Sequence, residues 1–287
     1  MEEIETENVG QAKYPVKFLQ TLSGGTAHVI LFSDGKKYVV KWNGTETRRA
    51  KEVINEYVVS KLGTLLSLPV VPFESVYIPD EFIANTPELH STRYQFNPGL
   101  QSACPFIENS FILKELNNNL PSKMEIKNPD MIAAMVVFDH WVFNYDRTLR
   151  NVLMERLSEG NYYLHMIDHG KCFPGGYTWS PQTLIKKRNK KLSYRDTYQW
   201  AFSILNPEEY TTFIDKIVSV PNELILEVIQ SIPEEWQVTL EEREALYHFL
   251  VEQKDQLPNL ISQFITRYDS NNTKKKKRKK SKKKKNN

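Results

Sequence analysis

Three short runs near the N-terminus are largely apolar and rich in β-branched and aromatic residues. Such runs predict β-strands. The runs are "VKFLQTL", "HVILF" and "KYVVKW", all between residues 16 and 42. Asp34 and Gly35 lie between the second and third runs, and both residue types tolerate the positive φ angles of a tight turn. The second and third strands are therefore expected to form a hairpin.

After Thr47 the apolar residues are spaced three to four residues apart. Apolar residues recur at this spacing as far as about Leu68, which predicts one amphipathic helix. "LPVVPFESVYIP" and "ACPFIE" then predict two more strands, on either side of a polar loop from about Asp80 to Ser102. The N-terminal part of the chain is thus expected to be rich in β-structure.

The second half of the chain has a different pattern. A strongly apolar helix is predicted from Asp130, whose carboxylate is suited to bond the first free amides of that helix. "NVLME" and "YYLHMID" follow as two short strands joined by "RLSEGN". Helices are predicted from about Asp196 to Tyr268, with breaks at Pro207, Pro221, Pro233 and Pro258. The pattern as a whole predicts the α+β fold class.

Composition narrows the classes of protein that fit. With 287 residues, 40% of them apolar, the chain is long enough for a large core. No apolar run approaches the length of a membrane span, and the acidic N-terminus does not resemble a signal peptide, so a cytoplasmic location is expected. Cys104 and Cys172 lack the spacing of metal ligands and are expected to be buried, reduced thiols.

The net charge of +3 hides two regions of opposite sign. Residues 274–285, "KKKKRKKSKKKK", hold 11 of the 38 basic residues, so the rest of the chain has 27 basic residues against 35 acidic ones. A segment without apolar residues and with high charge is expected to be disordered, which we predict for residues 269–287. Such a segment favours weak, salt-dependent and nonspecific contact with nucleic acid or another anionic surface.

Three polar residues in the second half suggest chemistry. Asp146 and Asn151 lie between the predicted helix and the next strand, and Asp168 ends the second strand of the hairpin. Because both strands of a hairpin return to one edge, these side chains are expected to lie together. One carboxylate can accept a hydroxyl proton, while the amide and the other carboxylate can hold Mg²⁺ on a polyphosphate.

The first half offers groups that suit the phosphates themselves. Lys41 ends an apolar strand, and Glu56 on the following helix is preferred over Glu52 as its ion-pair partner because Glu56 lies among core-facing residues. The loop between the first two strands has small residues whose backbone amides can approach phosphate oxygens. These residues are Ser23, Gly24, Gly25 and Thr26.

Several of these stretches resemble one known family. "DRTLRN" followed by "MIDHG" resembles the catalytic and metal-binding loops of lipid-kinase-type and HipA-like kinases. "SGGTAHVILF", "YVVKW" and "INEY" resemble the HipA-like nucleotide-binding lobe, and the similarity covers roughly residues 16–260. It implies a two-lobed, protein-kinase-like domain over residues 16–268, with an N-lobe to about residue 108, a C-lobe from residue 109 and an N-terminal extension over residues 1–15.

The resemblance also implies a role for each site residue. Asp146 is the catalytic aspartate, Asn151 and Asp168 are the magnesium ligands, and Lys41 binds phosphate with the support of Glu56. The stretch "CPFIEN" is the hinge that holds adenine through backbone groups. Its central residues are Phe106, Ile107 and Glu108. ATP and Mg²⁺ are the expected cofactors, and a protein serine or threonine is the favoured hydroxyl acceptor.

Other features separate the chain from protein kinases proper. "SGGT" is not G-x-G-x-x-G, His169 replaces the usual aromatic residue after the metal-binding aspartate, and no His-Arg pair precedes Asp146. Arg147 and Arg150 are further candidates for neutralising phosphate charge, although Arg150 is equally consistent with a solvated loop residue.

Alternatives from other classes remain open at this point. A catalytically inactive module that keeps the kinase fold is one, and a nucleic-acid-binding protein that acts through the basic tail is another. A small-molecule or lipid acceptor and transfer of a nucleotidyl group also remain open.

Removal of residues 273–287 is expected to leave folding and ATP hydrolysis unchanged, because this segment has no apolar residue with which to pack. The melting temperature and the hydrolysis rate of the shortened chain, measured beside the full chain at the same ionic strength, check the expectation. A melting temperature lower by several degrees would contradict it.

Overall fold

The computed structural model describes residues 13–44, 47–117, 119–186, 192 and 196–283. The chain divides into two compact units. The first contains residues Met1–Thr47 and Glu74–Phe106, and the second contains Arg48–Phe73 and Ile107–Asn287. Most of the predicted N-terminal extension, residues 1–15, lies outside the described residues.

The first unit is built on a five-stranded antiparallel sheet with strand order β1-β2-β3-β5-β4. The strands are β1 (Pro15–Thr21), β2 (Ala27–Phe32), β3 (Lys37–Lys41), β4 (Glu74–Ile78) and β5 (Gly99–Pro105). A short helix, α2 (Asp80–Ala84), lies within the predicted polar loop. The five predicted strands are confirmed, and the small helix is too short to produce a periodic pattern.

The β2–β3 hairpin forms where it was predicted, with the two turn residues in different roles. Gly35 has a φ of 75°. The Asp34 carboxylate instead accepts a hydrogen bond from the Lys36 amide at 3.0 Å. Only glycine is therefore needed in the left-handed conformation, because the aspartate stabilises the turn through its side chain.

The core of the first unit includes a buried histidine among its apolar residues. Ile30, Val40 and Ile78 are inaccessible to solvent. Trp42 is also buried and donates a 2.7 Å hydrogen bond from Nε1 to Nδ1 of His28. Burial lowers the pKa of His28 to about 4, so the ring is neutral and can accept this bond. The bond fixes the chain directly after Lys41.

The second unit is mainly helical. Its helices are α1 (Glu52–Leu65), α3 (Met131–Trp141), α4 (Pro181–Lys186), α5 (Asp196–Ile204), α6 (Thr211–Val218), α7 (Asn222–Gln230) and α8 (Leu240–Lys283). Its strands β6 (Ser110–Ile112), β7 (Val152–Ser158) and β8 (Asn161–Met166) form an antiparallel sheet in that order. The hairpin of β7 and β8 was predicted, whereas β6 is too short to show alternation. The predicted α+β class is confirmed.

Helix α3 is the centre of the second unit. Every residue from Ile132 to Trp141 is buried. Trp141 donates from Nε1 to the Leu250 carbonyl at 2.9 Å, which joins α3 to α8. The prediction that Asp130 caps α3 through its carboxylate is wrong: Asp130 has helical backbone angles and its side chain makes no capping hydrogen bond. A capping residue normally has an extended backbone, from which its side chain reaches the amides.

Helix α1 belongs with the helical unit, although the predicted lobes place it with the strands. Val58 and Leu62 are completely buried on its inner face. Glu56, on the same helix, is also completely buried. The compact unit that holds this glutamate is therefore the one that holds the segments carrying Asp146 and Asp168.

Helix α8 is longer than the sequence pattern predicts. It continues through Pro258 and reaches Lys283, so its backbone is helical where disorder was predicted, and residues 284–287 lie outside the described residues. Lysine and arginine have high helix propensity, and a helix that has already formed extends at little cost per residue. No helix among the described residues is long and apolar enough to cross a membrane.

Gly63→Ala is expected to destabilise the second unit. A Cβ atom at Gly63 would lie 2.9 Å from the Val70 Cβ, so the substitution overpacks a closed contact. We expect a loss of about 1–3 kcal/mol in the free energy of unfolding, measured by urea denaturation. Thr64→Ala, an exposed neighbour on the same helix, is the control and should change stability little. Equal stability of the two variants would contradict the packing argument.

Candidate active site

The β7–β8 hairpin brings the segments that carry Asp146, Asn151 and Asp168 to one end of its sheet. Val152, the first residue of β7, pairs with Met166, the last residue of β8. Beyond this pair, the Ile167 amide donates to the Asn151 carbonyl at 3.3 Å. Asn151 thus lies beside the residue that precedes Asp168, as the argument from hairpin geometry predicted.

Hydrogen bonds fix the segment that carries Asp146. The Asp146 amide donates to Oδ1 of Asn144 at 3.1 Å, and the Asp146 carbonyl accepts from Nδ2 of Asn151 at 2.9 Å. The Asn151 side chain is nearly buried. Because its amide nitrogen is engaged, its Oδ1 atom is the one suited to coordinate a cation.

Arg147 links this segment to the strand end that precedes Asp168. It is completely buried and forms a two-point ion pair with Asp139, with Nε–Oδ2 at 2.9 Å and Nη2–Oδ1 at 3.0 Å. Its Nη1 atom donates to the carbonyls of Asn151 and, at 3.0 Å, Ile167. Arg147 therefore does not serve as a phosphate ligand, since its donors are used inside the protein.

The Asp139 carboxylate is fully satisfied around this ion pair. It also accepts from Nδ2 of Asn144 at 3.0 Å and from the Tyr198 hydroxyl at 3.1 Å. Burial by itself would lower the pKa of Arg147, but the charge of Asp139 outweighs burial and raises that pKa. Burial, together with Asp139, raises the pKa of Tyr198. The arginine is therefore charged and the tyrosine is a neutral donor.

His169 takes the place of the usual aromatic residue because it continues the same buried network. Its Nε2 atom lies 2.9 Å from Nη2 of Arg147. A guanidinium only donates, so Nε2 accepts and the ring proton sits on Nδ1. Nδ1 lies 3.8 Å from Oε2 of Glu56. The buried polar residues thus run in series from Asp139 to Glu56.

Glu52 and Glu56, the two glutamates of α1 considered as partners of Lys41, have different partners in the structure. Glu52 pairs with Arg49, whose Nε atom lies 2.5 Å from Oε2. Glu56 faces His169 instead. Lys41 ends β3 in the first unit, paired across the sheet with Ala27 and Ser102. The ion pair of Lys41 with Glu56 remains a prediction.

The backbone at Asp168 has an unusual conformation. Its φ of 59° is in the left-handed region, which few residues other than glycine occupy and which aspartate tolerates better than most. Such strain collects at functional sites, where the surrounding structure holds it. Burial tends to lower the pKa of Arg49, but its hydrogen bonds to Glu52, with a further contribution from Asp168, raise it. Arg49 is thus a cation near Asp168 that no sequence motif indicated.

Asn55 is a second residue that the sequence did not reveal. It is completely buried on α1, and its Nδ2 atom donates to the carbonyls of Gly170 at 2.7 Å, Gly176 at 3.1 Å and Cys172 at 3.2 Å. Its Oδ1 atom accepts from Nε1 of Trp179 at 2.6 Å. The segment after Asp168 is therefore fixed to α1. A polar residue at a core-facing helix position was the available signal.

The small-residue loop of the first unit forms a closed turn. Gly24 and Gly25 have φ angles of 104° and 79°. The Tyr94 hydroxyl donates to the Gly24 carbonyl at 3.2 Å, and a Cβ atom at Gly25 would lie 3.2 Å from the Tyr94 ring. Tyr94, which no sequence motif indicated, therefore packs against this loop. The contact of Ser23 and Thr26 with phosphate remains a prediction.

The predicted hinge lies where the chain passes from the first unit to the second. The Phe106 amide donates to the Lys37 carbonyl at 2.9 Å, and the Ile107 carbonyl accepts from the Ser110 hydroxyl at 2.7 Å. The Phe106 amide is thus engaged by β3 and is not the donor to a nucleotide. Adenine recognition by Ile107 and Glu108 remains a prediction.

The donor atoms fit a magnesium ion bound together with phosphates. In the part of the chain that the structure describes, no three His, Cys, Asp or Glu side chains form a metal cluster. A cation held by Asn151 and Asp168 would take its other ligands from water and phosphate oxygens, as Mg²⁺ usually does. Cys104 and Cys172 are both buried thiols outside any disulfide, as predicted. Burial, with Asp139 nearby, raises the pKa of the Cys172 thiol.

Comparison with known proteins agrees with this architecture. A search of the solved structures finds a Helicobacter pylori proinflammatory kinase, CtkA, at 16% identity with a TM-score of 0.58, covering 87% of this chain and 95% of that chain. It also finds HipA of the Shewanella oneidensis MR-1 toxin–antitoxin system, solved with HipB and operator DNA, at 11% identity with a TM-score of 0.46, covering 90% and 68%. The second likeness adds nothing to the fold assignment. No curated protein sequence matches the chain.

The α+β architecture and the likeness to CtkA define a kinase-like fold. The family model described as HipA-like kinase matches residues 21–271, which is most of the chain. The chain belongs to the HipA-like kinase family, as the sequence motifs indicated.

Breaking the Asp139–Arg147 pair from either side is expected to be severely destabilising. Arg147→Met leaves a buried carboxylate uncompensated, which should lower the free energy of unfolding by about 3–5 kcal/mol. Asp139→Asn should cost a similar amount, and the double variant should lose less than the sum of the two. Urea denaturation of the three variants measures the coupling.

Lys123→Met is the matched control, because Lys123 forms a partly exposed ion pair with Glu209. Its loss should change stability by no more than about 1 kcal/mol. Strictly additive effects at Asp139 and Arg147 would contradict a direct pairing energy between them.

Proposed function

We propose that this protein is an active kinase that transfers the γ-phosphoryl group of Mg-ATP to a hydroxyl acceptor. The observation that carries the proposal is the joint placement of Asp146, Asn151 and the Asp168 segment around the buried Arg147. An amide and two carboxylates at one edge are the groups that phosphoryl transfer requires. Membership of the HipA-like kinase family supports the same reaction.

Asp146 acts as the proton acceptor in this proposal. The acceptor oxygen bonds to the γ-phosphorus while the bond from that phosphorus to the β–γ bridging oxygen breaks. The bonding pair leaves with ADP, and the hydroxyl proton passes to the Asp146 carboxylate. The Asp146 amide donates a hydrogen bond to the Asn144 side chain, and the Asp146 carbonyl accepts one from the Asn151 side chain. These bonds hold Asp146 in place, which reduces the entropic cost of orienting it for the reaction.

Asn151 and Asp168 hold the metal in the same proposal. Bound Mg²⁺ neutralises phosphate charge and orients the polyphosphate. The nitrogen of the Asn151 side chain is engaged with the Asp146 carbonyl, which turns its oxygen toward the role of ligand. Lys41 and the loop of Ser23 to Thr26 are proposed as the phosphate contacts of the first unit.

A protein serine or threonine is the proposed acceptor. This choice rests on the resemblance to HipA-like kinases, and a small molecule or a lipid is an outcome that the experiment below distinguishes. The basic residues from Lys274 to Lys285 are proposed to make weak, salt-dependent contacts with anionic surfaces.

Incubation with γ-labelled ATP and, separately, α-labelled ATP tests the reaction class. Label transferred only from the γ position supports a kinase, and label transferred from the α position would replace it with a nucleotidyltransferase. Separation of the products by mass identifies the acceptor as protein or small molecule. Nucleotide binding without transfer of either label to protein, small molecule or water would favour the inactive module.

The two aspartates are expected to separate binding from turnover. Asp168→Asn removes a charged ligand from a hard cation, so it should weaken magnesium-dependent ATP binding and abolish transfer. Asp146→Asn should leave binding nearly intact and lower turnover by a factor on the order of 10² to 10⁴, the range for a lost general base. Calorimetry with Mg-ATP, beside transfer rates, measures both effects.

Asp215→Asn is the control for removing one acidic charge, because Asp215 is exposed on α6. It should match the parent protein in binding and turnover. If Asp146→Asn lost ATP binding while Asp168→Asn retained it, the two roles would be reversed. Full activity in both variants would overturn the mechanism.

A further inference from the structure

Lys171 lies three residues after Asp168, and its side chain reaches Asp146. Its Nζ atom is 3.0 Å from Oδ2 of Asp146, and the two side chains are 35% and 26% exposed. This ion pair places a positive charge against the proposed proton acceptor on the solvent-accessible side of the site. The lysine lies outside every motif that the sequence analysis used.

The backbone on both sides of Lys171 is fixed. The Gly170 carbonyl accepts from Asn55 at 2.7 Å. The amide of Cys172, a completely buried residue, donates to the His169 carbonyl at 2.9 Å. Two anchored neighbours limit the positions that the lysine can reach. Exposed ion pairs between long side chains normally lack such support and contribute little to stability.

The ammonium group has donors left for an anion. An ammonium carries three N–H donors, and one faces Asp146. The Tyr177 ring centroid lies 5.5 Å from Nζ, which adds a cation–π contact but uses no hydrogen-bond acceptor. Within the described residues, Nζ makes no second hydrogen bond. Lys171 can therefore contact Asp146 and a second anionic group together.

The geometry of transfer decides what that second group is. A hydroxyl oriented by Asp146 lies within about 3 Å of its carboxylate, and the phosphorus it attacks lies about 3–3.5 Å further on. The oxygens of that phosphoryl group are then within reach of a lysine that already contacts Asp146. Without a cation there, the carboxylate would repel the incoming phosphoryl oxygens.

We propose, on the basis of the kinase function proposed above, that Lys171 is a catalytic residue that binds the transferred phosphoryl group. Its ammonium bridges the Asp146 carboxylate and an oxygen on the γ-phosphorus. As the acceptor oxygen bonds to phosphorus and the bond to the ADP oxygen breaks, Lys171 neutralises the oxygens that carry the charge and keeps its own protons. The hydroxyl proton still passes to Asp146.

Calorimetry with Mg-ATP and Mg-ADP tests the contact directly, because ADP lacks the γ-phosphoryl group. Lys171→Met should weaken Mg-ATP binding roughly 10- to 100-fold, the range for losing a charged hydrogen bond, and leave Mg-ADP binding unchanged. Its rate of γ-label transfer, with water counted as an acceptor, should fall on the order of 10²-fold. Lys171→Arg keeps the charge and should recover part of both losses.

Lys186→Met, at an exposed lysine of α4, is the control and should match the parent in both measurements. Melting temperatures establish that every variant is folded. If Lys171→Met had the same ratio of ATP to ADP affinity and the same transfer rate as the parent, the role of Lys171 would be overturned. The kinase proposal would still stand. If the parent protein bound Mg-ATP but transferred no label, the kinase proposal would fail. The affinity ratio would then decide by itself whether Lys171 contacts the γ-phosphoryl group.

Discussion

The candidate site depends on a buried ion pair. Arg147 and Asp139 are both completely buried and meet through two hydrogen bonds. Removing two charges from water is costly, and their attraction compensates only when the remaining donors and acceptors are satisfied. In this protein they are satisfied. Asn144 and Tyr198 donate the remaining hydrogen bonds to the carboxylate. The guanidinium donates its remaining hydrogen bonds to His169 and to the carbonyls of Asn151 and Ile167. The requirement to satisfy one buried arginine therefore sets the position of two loops.

A second set of buried polar groups on α1 extends this arrangement. Glu56 faces His169, and Asn55, the residue before it, binds three carbonyls of the segment that follows Asp168. Helix α1 thus supports both the buried polar network and the segment that follows Asp168. The glycines of that segment allow close approach: a Cβ atom at Gly176 would lie 3.1 Å from the Cζ atom of Tyr145. Close packing and, at Gly176, a left-handed φ of 60° explain the choice of glycine.

The two faces of the site have different physical roles. Arg147 and Asp139, behind Asp146, are buried and fully hydrogen-bonded, which suits them to positioning. The groups in front, Lys171 and Asp146, are partly exposed and keep donors and acceptors that solvent or substrate can use. The proposed kinase reaction needs both buried groups that hold Asp146 in place and accessible groups that meet the substrate, since preorganised groups lose little entropy when a substrate binds.

Periodicity in the sequence determined the elements, because alternation and helical spacing are local properties of the chain. It placed the strands of the first sheet, the β7–β8 hairpin, α1 and α3, and the hairpin by itself implied that Asn151 and Asp168 lie close together. Motif spacing also identified the family, since the residues that carry the resemblance are contiguous in short stretches. Lobe boundaries, the action of each site residue and the identity of the acceptor are not determined by local pattern and remain predictions.

Only the tertiary structure decided what lies around these residues. A buried arginine and an exposed one look alike in a sequence. The position of Arg147 in the chain therefore did not show that its hydrogen bonds are made inside the protein, or that it does not serve as a phosphate ligand. The same holds for Asn55, for the contact of Lys171 with Asp146 and for the partners of Glu52 and Glu56. Each depends on which segments, distant along the chain, share a buried volume with few polar partners. Sequence specifies the groups that need partners, and packing decides which partners they find.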